Sequence, residues 1–217
     1  AALIGLTRIQ VPQKYGGHGF SFRCKSRVLE VLATADFGFA MSVVNSHNVA
    51  AKLAACASPE VAENLIPPII NGDHSACTAL TETGAGCDFA AISTMARESG
   101  KAWVLNGSKA WIINARHAKT IIVYAQTLEK GDPKGIAAFV IDANREGFIR
   151  NCEDEFFGQH IMGACGFRLE NYLARKNELI LPAGTAFKSV LNELNGARTY
   201  VASMCCGMVD AALREVS

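Results

Sequence analysis

The sequence predicts an α+β protein laid out as a helical segment, a β domain and one long closing helix. Three observations predict it. Apolar residues recur with a helical period through residues 1–74; from about residue 75 they gather in short, partly alternating runs separated by Gly, Asn and Asp; near residue 187 the helical period returns. These changes set expected boundaries at 1–74, 75–182 and 183–217. With 217 residues, half of them hydrophobic and 19% charged, the chain can bury a substantial core as one large or two small domains.

The N-terminal part opens on "IQVPQKYGGHGF", read as a loop in which Pro12 fixes the backbone and Gly16, Gly17 and Gly19 make turns. "CKSRVLEVLATAD" follows, with Val28, Leu29, Val31 and Leu32 on one face of an amphipathic helix. "FGFAMSVVNSHNVAAKLAACA" is apolar nearly all round and predicts a helix buried within a helical layer. "SPEVAENLIPPIING" starts with Ser58 as N-cap and Pro59 at the first helical position, and Pro67 and Pro68 are expected to break it.

The runs "SACTALT", "ISTMARES", "AWVLNGSKAWIIN", "KTIIVYAQT", "GIAAFVID" and "GFIRNCEDEF" predict six or more strands, closed as a barrel or stacked as a sandwich. Asn106-Gly107, between Val104 and Trp111, reads as a tight hairpin turn. In the last segment Val190, Leu194, Val201, Met204 and Met208 fall along one side of a helix.

Composition narrows the function classes. A net charge of +1 with interspersed signs leaves no basic stripe, which disfavours nucleic acid, and "ARKNE" is a mixed-sign solvated patch. The eight cysteines have no CxxC spacing and no paired His at metal-ligand distances, so no metal is expected. Most sit among small or apolar residues, pointing to a reducing compartment, with Cys205 and Cys206 expected as two buried thiols. His18, His47, His74, His117 and His160 are isolated from one another and read as surface or structural. There is no 18-residue apolar span and no charged-then-apolar leader, so a soluble cytoplasmic protein without a membrane span is expected. The chain begins mid-pattern at Ala1, which suggests a piece of a longer one.

Residues 79–92, "ALTETGAGCDFAAI", place Thr, Glu, Gly, Cys and Asp between two apolar runs. Alone, that cluster reads as a turn, and Trp111 alone reads as core. Together they carry a resemblance. Thr81-Glu82-Thr83-Gly84-Ala85-Gly86-Cys87-Asp88 resembles the Thr-Glu-Pro-Gly-Ala-Gly-Ser-Asp signature of the acyl-CoA dehydrogenase family of flavoproteins. Asn106-Gly107-Ser108-Lys109-Ala110-Trp111-Ile112-Ile113-Asn114 is similar to the same family's Asn-Gly-x-Lys element leading to Trp-Ile-Thr-Asn. The loop Pro12 to Gly19, Met162-Gly163, and Gly184, Phe187 and Arg198 match further family elements in order.

The resemblance implies an N-terminal helical domain, a middle β domain and the first helix of a C-terminal helical bundle. It implies FAD held by Thr78, Leu80 and Thr81 at a strand end, with Trp111 against the ring system and Ile113 where the family has a hydroxyl for flavin N5. It places Gly86, Cys87 and Arg198 along the CoA arm of an acyl-CoA thioester. The implied reaction is oxidation of that thioester to its trans-2-enoyl form, by α-proton abstraction and β-hydride transfer to flavin N5. Electrons would then pass to an electron-transfer flavoprotein, and the protein would form a homo-oligomer. No catalytic base is assigned: the residue before the helix Arg, a Glu in some branches, is Ala197. Cys87 and Ile113 depart from the pattern, leaving open a flavin-dependent monooxygenase on the same fold and an inactive acyl-CoA-binding or protein-binding homologue.

Overall fold

A computed structural model describes residues 1–153 and 155–217. Three helices lead: α1 (Phe22–Ala35), α2 (Phe37–Cys56) and α3 (Pro59–Asn71). Each begins with a side-chain cap, as Ser21, Asp36 and Ser58 accept the backbone N–H groups of Cys24, Phe39 and Val61. Pro67 and Pro68 do not break α3, contrary to the expectation. The carbonyls they leave without a helical donor belong to Glu63 and Asn64, which are exposed and open to water, while Ile66, Ile69 and Ile70 anchor the opposite face. The helix ends at Gly72, whose φ of 80° suits a glycine C-cap.

Eight strands follow: β1 (Ala76–Ala79), β2 (Met95–Ser99), β3 (Ala102–Ile112), β4 (Thr120–Glu129), β5 (Asp132–Asp142), β6 (Phe148–Asn151), β7 (Cys165–Arg175) and β8 (Leu179–Leu181). They form one sheet in the order β6-β7-β3-β2-β4-β5-β8, with β1 parallel to β4 beside that path. The sheet curls without closing, so that Trp103 of β3 meets Phe139 of β5 edge-on at 5.5 Å. Its concave side encloses Leu105, Phe139, Phe167 and Tyr172. The other face of β4 and β5, with Ile122, Tyr124 and Val140, packs against Val49 and Leu53 of α2 and Ile66 and Ile69 of α3. Residues Thr120 to Ala125 of β4 are therefore buried on both sides.

Asn106-Gly107 is not a hairpin turn. β3 runs straight through it, with a register shift against β7 between Leu105 and Gly107. Gly107 has φ 149° and passes so close to β2 that a Cβ would lie 2.6 Å from Thr94 Cα. The Asn106 side chain bridges instead to Asn171 across the strands, accepting its N–H at 2.8 Å.

The closing helix α4 (Ala186–Val216) lies along α1. Gly207 permits the approach: a Cβ there would stand 2.1 Å from the Glu30 carbonyl oxygen. The expected apolar side is only partly right. Val190 and Met204 are buried, but Leu194 and Val201 are half-buried and Met208 is 42% exposed; Tyr200 and Gly207 are buried in their place. Cys205 and Cys206, expected as buried thiols, are both exposed, because they lie on the face of α4 turned from α1. Cys152 and Cys165 form a disulfide that the reading of the cysteines did not anticipate, since β7 carries Cys165 back beside the segment following β6. No helix among the described residues is long and apolar enough to cross a membrane.

Candidate functional site

β1 and β3 end side by side beneath α2 and α4, and a cavity of about 660 Å³ lies where these elements meet. Thr78, Leu80, Thr81, Trp111 and Ile113 all line it. The sequence residues proposed to contact a cofactor are thus brought together. Gly86, Cys87 and Arg198 are not: all three are exposed and lie outside its lining. Arg198 makes no ion pair among the described residues. Glu193 points into the cavity and holds Lys52, its oxygens 2.6 and 2.7 Å from Nζ.

The floor is fixed by a buried ion pair. Lys109, on β3, donates to Glu82 Oε1 at 2.8 Å and to the Leu80 carbonyl at 2.9 Å. Glu82 also accepts from the backbone N–H and hydroxyl of both Ser93 and Thr94. Burial alone would raise the Glu82 carboxyl, but donation from Lys109, Ser93 and Thr94 outweighs it and holds the group at about 2. These contacts tie the loop after β1 to β2 and β3. The Thr81 carbonyl is also used, accepting the Ala110 N–H at 3.1 Å. The hydroxyls of Thr78 and Thr81 have no hydrogen-bond partner among the described residues and remain available to a ligand at the cavity.

Trp111 is not a core residue. It is 49% exposed, and its φ is 56°, a conformation that bulky side chains rarely adopt. The bulge between Lys109 and Ile112 produces it, and the neighbouring Asn114, φ 69°, locks the strand end in place. Asn114 donates from Nδ2 to the Ser42 and Ala76 carbonyls, at 2.8 and 3.1 Å, and its N–H donates to the Met162 carbonyl at 2.8 Å. A conformation of this kind persists only where the surrounding structure holds it in place.

Several lining residues escaped sequence reasoning. Lys52 joins Glu193 to the Tyr124 hydroxyl at the base of the cavity, and burial raises the Tyr124 hydroxyl well above the usual phenolic range. Its signal was visible as the one charge in the apolar run "NVAAKLAACA". Lys25 and Tyr200 also line the cavity, but nothing in their spacing foretold that α1 and α4 would bring them together.

Comparison with known proteins accords with this arrangement. Residues 1–73 match the description "Acyl-CoA dehydrogenase, N-terminal domain" and residues 77–172 "Acyl-CoA dehydrogenase, middle domain". The chain is 34% identical over 212 residues to the mitochondrial short-chain specific acyl-CoA dehydrogenase of Mus musculus, covering 97% of this chain and 51% of that protein. It spans about half the length of the curated relatives it matches. Among solved structures, a glutaryl-coenzyme A dehydrogenase in complex with glutaryl-CoA superposes with a TM-score of 0.92 at 27% identity, over 98% of this chain and 55% of the other. A glutaryl-CoA dehydrogenase from Mycobacterium smegmatis, in complex with FADH2, gives 0.90 at 25% identity, over 98% and 54%. With both domain matches in register, the motifs in place and the fold shared, the chain belongs to the acyl-CoA dehydrogenase family.

Proposed function

We propose that the whole protein is an FAD-dependent oxidoreductase of the acyl-CoA dehydrogenase type, acting on an acyl thioester. The observation that carries this reading is Trp111, half-exposed at the cavity wall in a strained conformation beside the unpartnered hydroxyls of Thr78 and Thr81. These residues fit a flavin: hydroxyl donors suit its polar edge and the indole offers apolar contact to its rings. Bound FAD would supply the acceptor for the β-hydride of the thioester.

The chain's own contribution is orientation. The Glu82–Lys109 pair and Asn114 hold the ends of β1 and β3 rigid, so the hydroxyls and Trp111 keep fixed positions. α2 and α4 form two sides of the cavity and leave its mouth open on the side where Trp111 is exposed. Glu193 is the only carboxylate lining the cavity among the described residues, and it is committed to Lys52 and to the Ser189 hydroxyl. The α-proton is therefore not assigned to it. We further propose a homo-oligomer, and an electron-transfer flavoprotein as the partner that takes the electrons onward.

The test is the visible spectrum of the purified full-length protein. Flavin bands near stoichiometry, bleached anaerobically by an acyl-CoA, are expected. Flavin that stays oxidised under every acyl-CoA would refute the dehydrogenase reading. A protein that remains colourless after addition of FAD would leave a scaffold built on this fold.

A further inference from the structure

The wall of the cavity built by α1, α2 and α4 carries a cation without a counter-ion. Lys25 is only 6% exposed and lies in no ion pair among the described residues. Its Nζ donates to Asn48 Oδ1 at 3.2 Å and otherwise faces the rings of Phe22 and Tyr200, at 4.9 and 5.1 Å from their centroids. A buried ammonium has three protons to place and a charge that is costly away from water. One amide oxygen and two ring faces offset only part of that cost.

The surrounding hydrogen bonds turn this into a directed site. His47 Nε2 accepts the Gln10 backbone N–H at 2.9 Å, so the ring proton lies on Nδ1, beside Asn48 Oδ1. Burial first, and then the charge of Lys25, hold His47 down at about 4, which keeps it neutral. The Asn48 amide is thereby oriented, and its Nδ2 donates to the Tyr200 hydroxyl at 3.1 Å. Tyr200 then has its own proton to give and no acceptor for it among the described residues. Lys25 and Tyr200 are two neighbouring donors on one cavity wall: Tyr200 lacks an acceptor, and Lys25 has a single one, Asn48 Oδ1, for its three protons and no counter-ion among the described residues. The carboxylate of Glu193 does not serve them, being held by Lys52 and Ser189.

We propose that the cavity takes an acyl group whose far end carries a carboxylate, received by the Lys25 ammonium and the Tyr200 hydroxyl. This rests on the acyl-thioester reading above and deepens it. A tail ending in a methyl group would leave the Tyr200 proton without an acceptor and the ammonium without a counter-charge. A carboxylate would supply the missing charge and accept from both.

The experiment measures binding rather than turnover. Dissociation constants are determined by titration calorimetry on the full-length, flavin-loaded protein, using enoyl thioesters that do not reduce the flavin. Glutaconyl-CoA and 2-hexenedioyl-CoA are compared with trans-2-pentenoyl-CoA and trans-2-hexenoyl-CoA, which match them in chain length but end in methyl. We expect at least one carboxylate-bearing thioester to bind roughly tenfold or more tightly than its methyl counterpart. Lys25→Met should abolish that preference and Tyr200→Phe should reduce it several-fold, with affinity for the methyl-ended thioesters retained. Equal or tighter binding of the methyl-ended thioesters by the unaltered protein would overturn the proposal while leaving the acyl-thioester reading intact. Failure of all four to bind would remove both. Should Lys25→Met not fold, the comparison in the unaltered protein and the Tyr200→Phe result decide.

Discussion

Lys109 Nζ lies 2.8 Å from Glu82 Oε1, with the lysine side chain fully enclosed and the glutamate side chain 5% exposed. The loop after β1 and the bulged end of β3 share this single ion pair, and five donors in all converge on the carboxylate. Removing one partner strands the other charge in the interior. Lys109→Met is expected to lower stability by about 3–5 kcal/mol, read as a shifted midpoint in urea denaturation. Glu82→Gln keeps the shape but removes the counter-charge of Lys109 and turns an amide NH2 toward groups that are all donors, so it should cost a comparable amount.

The same carboxylate gives a pH dependence whose sign is fixed. Glu82 sits at about 2 in the folded protein against an ordinary 4.5, so the folded state favours the ionised form. Its stabilising effect is fully present above the ordinary value and is lost as pH falls from 4.5 toward about 2. Denaturation midpoints across that window should fall in the unaltered protein and fall less steeply in Glu82→Gln. Parallel slopes in the two proteins would show that other carboxylates dominate acid unfolding.

Gly207 and Gly84 make an internal contrast. In a helix, Gly→Ala usually raises stability by up to about 1 kcal/mol. At Gly207 the added methyl would meet the Glu30 carbonyl oxygen at 2.1 Å and push α4 from α1, so Gly207→Ala should destabilise by about 1–3 kcal/mol. Gly84 is exposed, with nothing within 4 Å of an added Cβ, and Gly84→Ala should change the melting temperature little.

Most of the fold was legible wherever one periodicity dominated. The helices α1 and α2 and the strand runs around β1 to β6 follow their apolar patterns, because each buries a face that its own sequence spells out. The misreadings occur where tertiary contacts override a local signal. Asn106-Gly107 carries the composition of a turn, yet the glycine is there because Thr94 passes too close for a side chain. β7 went unread as a strand because Glu170 and Asn171 interrupt its alternation, with Asn171 at φ 51°. The candidate site divides in the same way. Thr78, Leu80, Thr81, Trp111 and Ile113 were found through their motifs, whereas Lys25, Tyr200 and Glu193 are united only by the packing of α1, α2 and α4.

Trp111 offers a test in which stability and binding should move apart. Its φ of 56° costs on the order of 1–3 kcal/mol in a residue with a Cβ, and nearly half of the side chain is exposed. Trp111→Gly should therefore leave the cofactor-free protein as stable as before, or more so. If the indole exists to contact a flavin, the same variant should bind FAD roughly tenfold more weakly in a fluorescence titration. A large loss of stability in the cofactor-free variant would mean that Trp111 serves the fold instead.

Ile113 sits half-buried in the cavity lining, two residues after Trp111, where a hydroxyl would be useful and a hydrocarbon offers none. If FAD binds with its ring system against this wall, Ile113→Thr supplies one donor and keeps the β-branched shape. One added hydrogen bond is worth about 1 kcal/mol, so FAD should bind several-fold more tightly, with a shift in the flavin reduction potential measured on the same sample. The hydroxyl also adds a polar group to a partly enclosed wall, so the gain appears only if a partner stands within reach. Weaker flavin binding by Ile113→Thr would mean that the isoleucine packs against something other than the flavin ring, and that the cofactor lies farther along the cavity.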